Sequence, residues 1–314
     1  MDNVKFFKRI LKQDGTPETG IAGRRAGLAP RRAGAGVLLA AAAVGGHAGT
    51  ASEPLSSGVV PESFVYKTTD RGPLHVQVIK PAGQAPAGGR PCVLFFHGGG
   101  WRRGSANQFV PFSTLLARHG VIGMSAEYRL LGPDEDAVPR EAIQDARSAM
   151  RWARQNAEKF GCDGRRIGAG GGSAGGTLAL LTAMPVPADD PKDDLHVDPR
   201  PAALVVFNAP LDLDDYPSRV PLAERRRYAP YYQLDRNLPP TLIMQGTKDH
   251  TVPMEQVTRF CDKARMLGAR DVTVVPFEGR NHGFFNKGKG QPGDFDAAAG
   301  HMLDFLRRLG WIAA

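Results

Sequence analysis

The sequence predicts an α/β domain with a mostly parallel eight-stranded sheet flanked by helices. Three observations carry that reading. From residue 63 onward, short apolar runs alternate with stretches of helical periodicity. Cys92–His97 is continuously apolar, as suits a strand buried on both faces in the middle of a parallel sheet. Two strand-like runs flank Asp70-Arg71-Gly72, so the sheet opens with a hairpin on an antiparallel edge.

The elements follow in order. Ser63–Thr69 and Pro73–Lys80 form the hairpin, and the Pro-, Gly- and Ala-rich residues 81–90 form a loop before Cys92–His97. Pro111–Arg118 fits a short helix with proline in its first turn, and Val121–Tyr128 the next strand. Glu141–Phe160 has the clearest helical pattern, with Ile143, Ala146, Met150, Ala153, Ala157 and Phe160 recurring at spacings of three and four. Strand Arg166–Ala169, helix Ser173–Met184 and strand Ala203–Asn208 come next. Strand Thr241–Gln245, helix Met254–Leu267, strand Val272–Phe277 and helix Phe295–Leu309 complete the series, with Gly310 as C-cap. Residues 185–200 and 212–238 are irregular insertions placed to overhang a site.

Composition narrows the function classes. The chain has 314 residues, 42% apolar and 23% charged, which excludes a collagen, a coiled coil and a wholly disordered protein. Of the net charge of +8, residues 1–52 supply +5, so the body is poor in the basic excess that nucleic-acid binding requires. Arg225-Arg226-Arg227, the compact basic run of the body, reads as a solvated face. Three cysteines make no disulfide scaffold, and sequence leaves open whether Cys162 and Cys261 pair. No CxxC or HExxH spacing is present, so no metal site is expected. The acidic cluster at Asp189, Asp190, Asp193 and Asp194 reads as a solvated loop rather than a calcium site, because Lys192 interrupts it.

The N-terminal 51 residues have the layout of an export signal. A basic stretch ending in Arg31-Arg32 precedes the apolar Val37–Val44, and Gly49-Thr50-Ala51 offers a cleavage site. The arginine pair is more like a twin-arginine signal than an ordinary one; a basic tail is the alternative. The apolar run is too short for a membrane span, which needs about 20 residues. Residues 52–314 are therefore expected to form one catalytic domain, exported to the periplasm or beyond, or cytoplasmic where the N-terminal segment is no signal, with oligomeric state left open.

The chemistry sits at strand ends. Gly171, Ser173 and Gly175 give G-x-S-x-G between an apolar strand and an Ala/Leu-rich helix. That is the setting of a nucleophile held on a strained strand-to-helix turn, where side chains two positions away would collide. A dinucleotide loop is the weaker reading. Gly170, Gly172 and Gly175 also fit G-x-G-x-x-G, but Asp189 and Asp190 do not end a following strand. His97-Gly98-Gly99-Gly100-Trp101 follows another apolar strand, and its glycines let backbone N–H groups face a cavity. Gly99, Gly100 and Ala174 are assigned as oxyanion donors, with His97 as a brace of that loop. A serine hydroxyl needs a neutral imidazole to take its proton and a carboxylate to orient that ring. Among eight histidines only His282 lies in a Gly-flanked loop after the last strand. Asp249 follows Thr241–Gln245, with Asp212, Asp214 and Asp215 as lesser candidates.

With HGGGW, Glu127-Tyr128-Arg129-Leu130 and GGSAGG in view, residues 60–312 resemble the α/β-hydrolase superfamily. Within it they resemble the hormone-sensitive-lipase-like and feruloyl/acetyl-xylan-esterase-like branches. Gly279-Arg280-Asn281-His282-Gly283-Phe284-Phe285-Asn286 is similar to secreted bacterial carbohydrate esterases. The chain departs from the first branch at Leu131-Gly132-Pro133, and residues 52–62 leave no room for a large N-terminal cap. The resemblance implies an α/β-hydrolase fold with a minimal cap. It implies a serine carboxylesterase for short acyl esters, including acetyl or feruloyl esters of carbohydrates, with an amidase or formamidase as the alternative. No cofactor is implied, and the substrate is a small-molecule or glycan ester. Trp101, Gly172 and Phe284 are the expected substrate contacts, with plain core packing the alternative for Trp101 and Phe284.

Overall fold

The computed structural model describes residues 61–132, 135–216, 218–269 and 271–313. The export segment expected at residues 1–51 lies outside them. Eight strands form one sheet: β1 (Glu62–Thr69), β2 (Gly72–Ile79), β3 (Arg90–Phe96), β4 (Ile122–Ala126), β5 (Cys162–Gly172), β6 (Leu204–Phe207), β7 (Thr241–Gly246) and β8 (Val272–Phe277). Their spatial order is β1-β2-β4-β3-β5-β6-β7-β8. The β1–β2 and β2–β4 pairs are antiparallel and the rest parallel, so the hairpin forms the expected antiparallel edge.

Alternation along β3 sorts the core into two faces. Cys92, Leu94 and Phe96 pack with α2 (Arg140–Gln155), α3 (Ala174–Thr182) and α6 (Met254–Met266). Val93 and Phe95 pack with α1 (Val110–Arg118) and α7 (Asp294–Arg308). The order places Ser173 at the C-terminal end of a central strand, where ligands of open α/β sheets bind.

Three sequence expectations change. The helix expected over 141–160 ends at Gln155 and resumes as one 3-10 turn at Glu158–Phe160. Asn156 caps it, with its own amide donating to the Trp152 carbonyl at 2.9 Å and competing with the helical bond. β5 runs from 162 rather than 166 to 172; ladders on both sides outweigh the weak strand preference of its glycines. The insertion at 212–238 contains two short helices, α4 (Leu222–Arg226) and α5 (Pro230–Gln233). Its arginine triplet is not merely solvated. Arg225 donates to the carbonyls of Leu213, Asp214 and Tyr216, and Arg226 pairs with Asp214 at 2.7 Å.

The acidic loop at 189–193 likewise has a structural use. Asp189 takes Arg147 at 2.7 Å and Arg151 at 2.5 Å, while Asp193 takes Arg151 at 3.0 Å. Lys67 joins Asp190 to the fully buried Asp145, each at 2.7 Å, and Arg129 grips Asp145 through Nε and Nη2 at 2.8 Å. The network ties β1, the β4 exit and the 185–200 insertion to α2. These acids spend their charge on Arg147, Arg151 and Lys67. Cys92, Cys162 and Cys261 are all free thiols, so the open Cys162–Cys261 pairing is not made. Among the described residues, no helix is long and apolar enough to cross a membrane.

Removing Asp145 takes away the fully buried carboxylate that Lys67 and Arg129 share, leaving Lys67 with Asp190 and Arg129 with Glu141. Asp145→Ala is expected to lower the unfolding free energy by about 3 kcal/mol, measured by urea denaturation.

Candidate active site

Ser173 is held at φ 52°, ψ −125°, a conformation rarely adopted by a non-glycine residue. Its N–H donates to the Phe207 carbonyl at 2.8 Å, so β6 stabilises the strained residue. The flanking glycines permit the turn. A Cβ on Gly171 would stand 2.4 Å from the Gly175 carbonyl oxygen, and one on Gly175 would stand 2.0 Å from that of Phe96. Both obstacles are backbone and cannot swing aside.

The structure brings the three sequence-assigned residues together. Ser173 Oγ lies 2.9 Å from His282 Nε2, and His282 Nδ1 lies 2.7 Å from Asp249 Oδ2. A carboxylate only accepts, so the neutral ring carries its proton on Nδ1 and leaves Nε2 to accept the serine proton. Asp249 is held from several directions. Its Oδ1 accepts the N–H groups of Thr251 at 2.8 Å and Val252 at 2.9 Å. Its Oδ2 also accepts Gln245 Nε2 at 3.2 Å. Asn208, buried at φ 38° at the end of β6, places its amide nitrogen 3.4 Å from that oxygen and 3.3 Å from His282 Nδ1. Because Nδ1–H is committed to Asp249, the carboxylate is the acceptor for Asn208. Sequence reasoning missed Asn208 and Gln245, since single amides have no spacing pattern.

A cavity of about 250 Å3 opens beside Ser173. Gly100, Trp101 and Ala174 form one wall; Asp212, Leu213 and Tyr216 from the 212–238 insertion form another. The insertion therefore lines the site, as expected. Asp212 is not a partner of His282. It pairs with Arg259 at 3.3 Å, and burial raises its carboxyl above the ordinary range. Ala174 opens a nine-residue helix, where the first N–H groups have no helical acceptor. The Gly98 N–H is taken by Gln108 Oε1 at 2.6 Å. Gly99 directly precedes the lining Gly100, and its carbonyl accepts the N–H groups of Arg102 and Arg103. Trp101, buried at φ 59°, donates its indole N–H to the Ala174 carbonyl at 3.2 Å and so ties the glycine turn to the serine helix.

Of the three expected substrate contacts, only Trp101 lines the cavity. Phe284 is 3% exposed and packs on Phe277 in the core beneath, with ring centroids 4.2 Å apart. Gly172 is needed for another reason: a Cβ there would lie 2.2 Å from the Phe285 ring. Both residues support the site from below. His97 braces its loop as expected, with its ring stacked on Tyr128 at 4.2 Å and Nδ1 donating to the Gly98 carbonyl at 2.8 Å. Among the described residues, no cluster of three His, Cys, Asp or Glu could hold a metal ion.

The chain is similar to known proteins in sequence and fold. Residues 77–220 match the BD-FAE family and residues 208–308 the prolyl oligopeptidase family. Thermogutta terrifontis esterase 2 superposes with a TM-score of 0.75 at 36% identity, covering 81% of this chain and 96% of that one. The chain belongs to the α/β-hydrolase serine esterases. That relative has been solved phosphorylated by paraoxon and, at similar likeness, with propionate or butyrate bound. Esterase LipC of Mycobacterium tuberculosis is 31% identical over 62% of this chain, and bovine arylacetamide deacetylase 26% identical over 77%. The chain spans about half the length of LipC (53%) and of LipM (50%) from the same bacterium.

Desolvation lowers the His97 imidazole to about 4. The unfolded state then binds the extra proton between about pH 6.5 and 4. The stabilising effect is complete above pH 6.5 and lost as pH falls toward 4, amounting to about 3 kcal/mol. Urea titrations across that range should show a shallower loss in His97→Asn than in the wild type.

Proposed function

We propose that this protein is a serine carboxylesterase acting on short-chain acyl esters through Ser173, His282 and Asp249. The observation that carries this reading is the continuous hydrogen-bonded line from Ser173 Oγ through His282 to Asp249, ending in a cavity. His282 Nε2 takes the Ser173 proton as Oγ attacks the ester carbonyl. The N–H groups of Gly99, Gly100 and Ala174 receive the developing oxyanion. The alcohol leaves with the proton from His282, and a water activated by the same nitrogen releases the acyl group. Asp249 keeps the ring in its working tautomer and stabilises the imidazolium.

The small cavity supports short acyl groups, as do the propionate and butyrate complexes of the Thermogutta esterase. Acetyl and feruloyl esters of carbohydrates are the proposed natural class, supported by the BD-FAE match and the C-terminal resemblance to carbohydrate esterases. Export by residues 1–51 would suit polymeric substrates, and residues 52–314 would then be the catalytic domain. Amide hydrolysis is the second reading. It is favoured by the arylacetamide deacetylase likeness and the prolyl oligopeptidase match, and it would use the same residues.

The full-length protein should hydrolyse p-nitrophenyl acetate and butyrate faster than octanoate, and methyl ferulate faster than the matching anilide. Ser173→Ala should lower kcat by about 10^4-fold or more, and Asp249→Asn by about 10^4-fold. Ester turnover unchanged in Ser173→Ala would overturn the reading; faster anilide turnover would favour the amidase.

A further inference from the structure

We propose that Gln108 and Asn286 form a positioning clamp that fixes the oxyanion turn against the loop carrying His282. The proposal rests on the esterase reading above. Its basis is a continuous run of amide hydrogen bonds between segments 178 residues apart. The Gly98 N–H donates to Gln108 Oε1 at 2.6 Å. Gln108 Nε2 donates to Asn286 Oδ1 at 2.7 Å. Asn286 Nδ2 donates to the Gly283 carbonyl at 2.9 Å, and the Asn286 N–H reaches the same oxygen at 3.1 Å. Both side-chain amides thus use both of their ends.

Each end of the run abuts a reacting group. Gly98 directly precedes Gly99 and Gly100, and its Cα faces the Ser173 side chain: a Cβ there would stand 3.3 Å from Ser173 Cβ. Gly283 directly follows His282. The donors and the base come from opposite parts of the sheet, one after β3 and one after β8. No ladder joins those strands, so their relative position depends on loop contacts. A second contact lies beneath the first. Phe109 and Phe285, each the chain neighbour of a clamp residue, stack with centroids 6.0 Å apart and planes at 20°. The stacked rings fix the separation of the loops. The amides, being directional, fix the angle between them.

A clamp that acts only on geometry should cost turnover and spare binding. Displacement of catalytic groups by an ångström can cost about 10²-fold. The test is a double-mutant cycle on the full-length protein with p-nitrophenyl acetate, using Gln108→Met and Asn286→Leu, which keep bulk and remove the hydrogen bonds. Each single variant should lower kcat by about 10- to 100-fold with KM within about twofold. The double variant should lose little more than the worse single, because one link is broken in both. The melting temperature should not track the loss. Single variants with kcat within about twofold of wild type would overturn the proposal, as would losses that multiply in the double. If Gln108→Met does not fold, Asn286→Leu breaks the same link from the other loop and is judged by the same split of kcat and KM. A wild-type protein that hydrolyses no ester would instead defeat the esterase reading itself.

Discussion

Ser173 occupies a backbone conformation that a lone residue would leave at once, with φ at 52°. Such strain costs of order 1–3 kcal/mol and persists only where the surroundings over-determine it. Here the surroundings are the sheet itself. β5 lies between β3 and β6, and the carbonyls of Phe96 and Phe207 close on the turn from both sides. The carbonyl of Phe96 presses so near Gly175 that no side chain fits, and that of Phe207 accepts the serine N–H. The elbow is therefore a property of three adjacent strands and not of a five-residue motif.

Other parts of the site take their places from that point. The helix that follows Ser173 opens with Ala174, which lines the cavity, and Trp101 binds the glycine turn to the same helix through the Ala174 carbonyl. Asp249 is gripped by two backbone N–H groups and the Gln245 amide. It presents one oxygen to His282 without becoming an unpaired buried charge. The hydrophobic floor of Phe109, Phe207 and Phe285 lies under these polar groups. Gly172 lets that floor rise against the serine.

How much of this was legible depended on whether a residue's role imposes a local pattern. Ser173, Asp249 and His282 each follow a recognisable strand, and Ser173 and His282 have glycine neighbours, so all three stood out as candidates, and the structure brings them within hydrogen-bonding distance. The parallel sheet was legible because β3 must be apolar on both faces. For Phe284 the sequence leaves substrate contact and core packing open, because adjacent aromatic residues next to a catalytic loop do not reveal which way they point. Phe284 turns into the core, and Gly172 is small for the sake of Phe285. Asp189 and Asp190 looked like a solvated loop, because the pairing of Asp189 with Arg147 and Arg151, and of Asp190 with Lys67 on the first strand, leaves no trace in spacing. Gln108, Asn208, Gln245 and Asn286 were invisible for the same reason. An isolated amide has no period, whether its partner is near, as for Gln245 and Asp249, or far, as for Gln108 and Asn286.

The central claim is that one serine is made nucleophilic by the fold. It is tested most directly by treating the full-length protein with paraoxon and mapping the adduct by peptide mass spectrometry. The account predicts one diethylphosphoryl group per chain, on the peptide containing Ser173, with labelling lost in His282→Ala. An unlabelled protein, or an adduct that forms elsewhere and is indifferent to His282, would contradict it.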